Sequence, residues 1–181
     1  MSLAQRYLPK YTLKDYMSWE RDWELIEGIP YALASPTFEH QRIVLKIARH
    51  LDEFLERECR DWVVGIDTDY IIDDHTVLRP DVFITCEEVK GRLLKPPKVI
   101  FEVISEGTRE KDEKLKKEIY QRERVDYFVM FYPELRKARI FRLSGRRYVK
   151  VADVTEDTFT FELGECSIPL SFQRSGKAKA L

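Results

Sequence analysis

The sequence is short of patterned cysteine, of linkers, of long apolar runs and of charge imbalance, and each shortage removes a class of protein. Cys59, Cys86 and Cys166 lie far apart, with no CxxC pair and no histidine at zinc spacing. That odd, patternless count predicts unpaired thiols and a reducing, cytoplasmic setting. Glycine (7) and proline (8) are sparse in 181 residues and nowhere gather into a linker, and no repeat or low-complexity segment occurs. A single domain over residues 1–171 is expected, with 172–181 as a loose C-terminal tail. No run approaches the roughly 20 apolar residues of a membrane span, and the first residues lack an apolar secretory core, so no membrane partner is expected. With 31 basic against 32 acidic side chains the net charge is −1, so any nucleic-acid-binding surface must be local rather than global.

What is present is an ordinary folded composition, 44% hydrophobic and 35% charged. Thr12, with Asp15 three residues on, opens a short helix to about Trp19. Trp23 to Gly28 and Ile29 to Ala34 read as a hairpin in which one of Glu24 and Glu27 points inward. From Glu39 to about Glu58, Ile43, Val44, Ile47, Leu51 and Leu55 recur at three and four, the stripe of an amphipathic helix. His40 lies one turn before Val44; it is either a core-edge histidine or a group beside a site, contacting a phosphate or orienting a carboxylate. Strands follow at Trp62–Ile66, Asp69–Ile72, Arg79–Ile84, Lys98–Ile104 and Asp126–Tyr132, then a hairpin across Ser144–Arg147 and one or two more strands before Leu170. Thr108 caps a helix from Arg109 to Arg124, on which Asp112, Lys116 and Tyr120 fall four apart on one face. Asp67, Asp69, Asp73 and Asp74 lack the glycine and terminal glutamate of a calcium loop and are turn and surface residues.

The chemistry concentrates around Glu102. It interrupts the otherwise apolar run Val99–Ile104, where a lone carboxylate faces a desolvation cost of several kcal/mol unless something compensates it. A cation is the obvious compensator and Asp81 the obvious second ligand. Two carboxylates on neighbouring strands, with a lysine on the following helix, are what metal-assisted phosphodiester hydrolysis needs. The bland alternative is a buried ion pair joining two elements.

Pro80-Asp81, then a gap of twenty residues to Glu102-Val103-Ile104, resembles the PD-(D/E)XK nuclease superfamily. The order of Trp23–Gly28, Ser35-Pro36 with His40, Arg79–Val82, Val99–Ser105, Thr108-Arg109 with Asp112, Lys116 and Tyr120, and the Val125 strand is similar to the Uma family of restriction endonucleases, from about Tyr11 to Pro133. The resemblance implies an α/β, restriction-endonuclease-like fold: a mixed central β-sheet, including the Glu24 strand, flanked by two long helices, with a C-terminal antiparallel hairpin. It implies a Mg²⁺- or Mn²⁺-dependent endonuclease acting on DNA; the aromatic strand Tyr127–Tyr132 and the C-terminal hairpin offer surface for a homodimer, as cutting two strands would favour. Asp81 and Glu102 would be metal ligands, Glu24 an auxiliary carboxylate near the metal, and Lys116 the catalytic lysine, with Lys114 as its substitute if the helix is rotated. Ile104 stands at the superfamily's usual lysine position, Glu106-Gly107 where relatives carry Pro-Ser, Arg124 where they carry Gly, and Tyr132 where they carry Asp. Ile104 and the Glu106-Gly107 turn define the rival function, a nuclease fold that no longer cuts and serves as a DNA-binding or assembly module.

Overall fold

A computed structural model describes residues 9–20, 22–107 and 109–172. Thr12 caps α1 (Leu13–Tyr16) through a reciprocal capping box, with the Asp15 carboxylate accepting from the Thr12 N–H at 2.8 Å. The helix is one turn, shorter than the expected reach to Trp19. The hairpin of β1 (Trp23–Ile26) and β2 (Ile29–Ala32) turns on Glu27 and Gly28, whose φ angles of 51° and 84° suit a two-residue type I′ connection. Thr37 caps α2 (Phe38–Glu58), and the apolar stripe from Ile43 to Leu55 is buried. There follow β3 (Val63–Ile66), β4 (Tyr70–Asp73), β5 (Thr76–Leu78), β6 (Val82–Thr85) and β7 (Val99–Val103). A π-helical turn, Lys111–Lys116, runs into α3 (Lys117–Arg122). The chain closes with β8 (Tyr127–Tyr132), β9 (Lys137–Ser144), β10 (Arg147–Val154), β11 (Thr158–Leu163) and β12 (Cys166–Ser171).

The central sheet has six strands in the order β10-β9-β8-β7-β6-β3 and is mixed, since β7 and β8 run parallel while its other pairs are antiparallel. A parallel pair needs a crossover, and the π turn with α3 provides it. The Glu24 strand is not part of this sheet, contrary to expectation. It belongs to a separate four-stranded antiparallel sheet, β2-β1-β5-β4. The cause is the three-residue β5, which pairs with both β1 and β4. The strand expected from Arg79 begins only at Val82, because Arg79-Pro80-Asp81 carries the chain from one sheet to the other and Pro80 has no N–H for a ladder.

Alternation along the central strands divides the core. Val82, Ile84, Val99, Phe101 and Val103 pack with α2 and the β11–β12 hairpin. Phe83, Ile100 and Ile104 pack with the small sheet and α3. With a period of two, Glu102 belongs to the second face. The two expected helices flank the sheet, α2 on one face and the helical segment 109–122 on the other, where the small sheet joins it as an unexpected further layer.

The cysteines also correct the expectation of unpaired thiols. Cys59, the C-cap of α2, forms a disulfide with Cys166 of β12, their Cα atoms 5.9 Å apart across a sequence separation of 107. Cys86 is free and exposed. Phe172, placed at the start of the expected tail, donates its N–H to Asp157 O at 3.1 Å and stacks near Phe131; residues 173–181 lie outside the described set, as does the expected helix cap Thr108.

At the end of α3 the Arg124 N–H donates to Gln121 O (3.2 Å) and the Val125 N–H to Tyr120 O (3.0 Å), the pattern of a Schellman motif. Arg124 accordingly has a φ of 64°, a conformation that costs a residue with a Cβ about 1–2 kcal/mol. The family resemblance implies a glycine at this position. Arg124→Gly is expected to raise stability by about 1 kcal/mol, or roughly 2–4 °C in the thermal midpoint, measured by circular dichroism; an unchanged or lower midpoint contradicts the strain.

Candidate active site

Glu102, Asp81, Glu24 and Lys116 come from four separate stretches, and backbone pairing brings the first two together. The β6–β7 register sets Val82 opposite Phe101, which leaves Asp81, just before β6, beside Glu102, whose pKa its charge raises. The Asp81 Oδ2 atom accepts from the Val103 N–H at 2.7 Å, which ties the end of β6 to β7, and His40 Nε2 approaches the same oxygen at 3.2 Å. His40 therefore lies beside the site, held by the first turn of α2. The Asp81 hydrogen bond raises the imidazole's pKa against the lowering effect of its burial.

Glu102 is buried, and both of its recorded contacts fall on Oε1: Lys116 Nζ at 3.0 Å and the Tyr120 hydroxyl, which donates at 2.7 Å. Lys116 also reaches Glu24 Oε1 at 2.8 Å and Asp112 Oδ1 at 3.5 Å, so three carboxylates surround one buried ammonium. Glu24 further accepts from the Arg79 N–H (3.0 Å, Oε1) and from Lys111 Nζ (2.6 Å, Oε2). Asp112, Lys116 and Tyr120, placed on one helix face by their spacing, thus converge on Glu102's neighbourhood. Tyr120 also serves as a core aromatic, its ring 5.4 Å from that of Phe128. Lys114 is directed elsewhere; it is exposed and pairs with Glu110. Glu24, not Glu27, is the inward carboxylate, because Glu27 lies in the hairpin turn and pairs with Arg122 at the surface. Lys111 had no signal in the sequence pattern.

Burial raises the pKa of Glu102; Lys116 opposes that effect, while Asp81, Asp112 and Glu24 add to it. Burial opposes the charged form of Lys116, but Glu102 and Glu24 hold its pKa well above the ordinary range. For Glu24 burial also acts upward, yet Lys116 and Lys111 together bring its pKa below the ordinary value. The cluster therefore favours additional positive charge. Among the described residues no group of three or more His, Cys, Asp or Glu is disposed to hold a metal ion.

Residues 13–168 match the Uma2 family, described as "Putative restriction endonuclease". The chain belongs to the Uma2 family. The family region runs past Pro133, where the motif resemblance stopped, and includes β9 to β11 and the first half of β12. No curated protein matches the chain. The fold is similar to the crystal structure of a "putative nuclease belonging to DUF820" from Anabaena variabilis, with a TM-score of 0.72 and 14% identity, covering 89% of this chain and 94% of that one. The Uma2 chain thus has a nuclease-type fold.

The raised pKa of Glu102 has a stability consequence of definite sign. A carboxyl whose folded pKa exceeds its unfolded value (about 4.3) contributes stability below the unfolded pKa and loses it as pH rises through the folded one. Glu24, with its lowered value, contributes above the unfolded pKa and loses its contribution as pH falls through the folded one. Glu102→Gln is expected to unfold at the same temperature as the native chain or a few degrees higher at pH 7–8 in EDTA, and to flatten the alkaline decline. A midpoint lowered by about 5 °C or more in a differential scan contradicts the assignment.

Proposed function

We propose that this chain is a Mg²⁺- or Mn²⁺-dependent endonuclease that hydrolyses DNA phosphodiester bonds. The observation that carries the reading is the buried Glu102 of β7 on the Lys116 ammonium, with Asp81, just before β6, close enough for its charge to raise the Glu102 pKa. The donor set fits such an ion. The contacts recorded among the described residues fall on one oxygen of each carboxylate, Oδ2 of Asp81 and Oε1 of Glu102. Mg²⁺ commonly takes one or two carboxylates and completes its sphere with water and phosphate oxygens. The four carboxylates Glu24, Asp81, Glu102 and Asp112 also outnumber the two ammonium groups Lys111 and Lys116, a charge deficit that a divalent ion offsets.

Asp81 and Glu102 would hold the ion, which supplies an acidified water and charge neutralisation at the scissile phosphate. Lys116 is fixed by Glu24 and Glu102, and its ammonium acts as an electrostatic partner for the charge that develops on phosphate oxygens. Tyr120 and Asp112 hold Glu102 and Lys116 in register. His40 orients Asp81 through its hydrogen bond.

A local basic surface supports DNA as the substrate. On the outer side of α2, Arg42, Lys46 and Arg49 lie at helical spacing, and among the described residues Arg42 and Lys46 form no ion pair. Burial first, and then the two flanking guanidinium groups, lower the Lys46 pKa; Arg49 is paired with Glu53, so the need for counter-charge falls on Arg42 and Lys46. Phosphates meet that need in a protein whose net charge is −1.

Plasmid nicking by the native protein and Asp81→Asn in Mg²⁺, Mn²⁺ and EDTA tests the reading. Metal-dependent nicking is expected, with Asp81→Asn losing more than the roughly 10–100-fold typical of an outer-shell defect. A native protein that binds DNA equally well in EDTA and never cuts it is instead the inactive module. Separately, the double variant Arg42→Glu/Lys46→Glu is expected to weaken DNA binding and reduce the salt slope of log K by about 2, measured by fluorescence anisotropy across a salt series. An unchanged slope removes the α2 surface from the interface.

A further inference from the structure

We infer that Lys111 is a second phosphate-contacting ammonium of this centre, and that Glu24 is the positioning residue that holds it beside Lys116 rather than a ligand of the metal ion. The inference rests on the nuclease reading above. Glu24 is fully buried, and both of its oxygens are engaged: Oε1 by Lys116 Nζ and the Arg79 N–H, Oε2 by Lys111 Nζ at 2.6 Å. A carboxylate so enclosed has its lone pairs directed at lysines and backbone. Asp81 and Glu102, by contrast, each have their recorded contacts on a single oxygen.

The π-helical turn is what makes the pairing possible. In an α-helix, residues five apart differ by about 140° around the axis, so Lys111 and Lys116 would diverge. A π-helix bonds each residue to the fifth along, so one turn returns both lysines to the same side. The π segment spans Lys111–Lys116, and those two side chains meet on one carboxylate. Such turns cost backbone regularity and occur often at functional sites.

The two lysines are not equivalent. The Lys116 side chain is 4% exposed and enclosed by carboxylates, whereas Lys111 is 15% exposed, at the outer edge of the cluster. An ammonium has three donors, and Lys111 has one engaged on Glu24. The Tyr31 ring lies 5.9 Å from its Nζ and backs the charge from the small sheet. Lys111 is thereby fixed at its inner side and open at its outer side, the disposition of a group that meets a phosphate oxygen of bound DNA. A purely structural pair would instead act through stability alone.

The test uses the full chain and four variants, Lys111→Met, Lys111→Arg, Glu24→Gln and Asp81→Asn, with folding checked by circular dichroism. Two quantities are read: Mn²⁺ affinity by calorimetry, without DNA, and kcat and KM for plasmid nicking. Lys111→Met is expected to bind Mn²⁺ as tightly as the native chain or more so, and to lose about 10²-fold in kcat, the scale seen when one preorganised donor is removed. Lys111→Arg restores most of that loss. Glu24→Gln keeps Mn²⁺ affinity within about tenfold while kcat falls, whereas Asp81→Asn loses Mn²⁺ binding. Native kcat in Lys111→Met overturns the role of Lys111. Loss of Mn²⁺ binding in a folded Glu24→Gln, matching Asp81→Asn, makes Glu24 a ligand and overturns its positioning role. A native chain that never nicks overturns the nuclease reading and the Lys111 role with it, and the calorimetry still decides Glu24.

Discussion

One buried ammonium organises this molecule. Lys116 lies among Glu24, Glu102 and Asp112, each from a different stretch of chain, and it is the one cation that all three of these buried carboxylates share among the described residues. The constraint runs outward from there. Glu102 is held in a β7 that is otherwise continuously apolar, Glu24 forces the small sheet against the central one, and the helix must bring a lysine down rather than out. Removing water from such a cluster strengthens every interaction within it, attractive and repulsive alike. The raised pKa values of Glu102 and Lys116 express the same fact: the interior holds more negative charge than its lysines neutralise.

The delivery of that charge from a helix accounts for Ile104. Ile104, where the resemblance to PD-(D/E)XK nucleases would have put a lysine, belongs to the apolar cluster of Phe128, Met130 and Tyr120, while its N–H continues the ladder to Phe131 O. A lysine at that point would have to emerge from a filled core. Supplying the ammonium from the crossover between β7 and β8 leaves the strand free to pack and puts the charge on an element whose register can be adjusted. The π turn is such an adjustment.

How much of this was legible follows from the range over which each signal acts. Glu102 stood out because a strand covered on both faces tolerates few charges, and Asp112, Lys116 and Tyr120 because a four-residue spacing is a local property of helices. The long helix and its buried stripe were legible for the same reason. The choice between Glu24 and Glu27 was not, since it depends on which residue the hairpin turn consumes. The second sheet was hidden in β5, three residues whose pairing to β1 and β4 has no pattern of its own. Lys111 was invisible because five is not a helical period. The Cys59–Cys166 bond was missed because partners 107 residues apart leave no spacing cue.

The placement of Glu24 on a sheet of its own has a consequence for assembly. Its partners Lys111 and Lys116 follow it by 87 residues and more, and they face it only after the two sheets have docked. Contacts of such sequence separation form late, after their loop-closure entropy has been met by nearer ones. A chain still emerging from synthesis, or one whose small sheet has come away, therefore holds the pieces of the cluster without the cluster. Its ionised groups remain hydrated and apart, and the centre forms only when folding is complete.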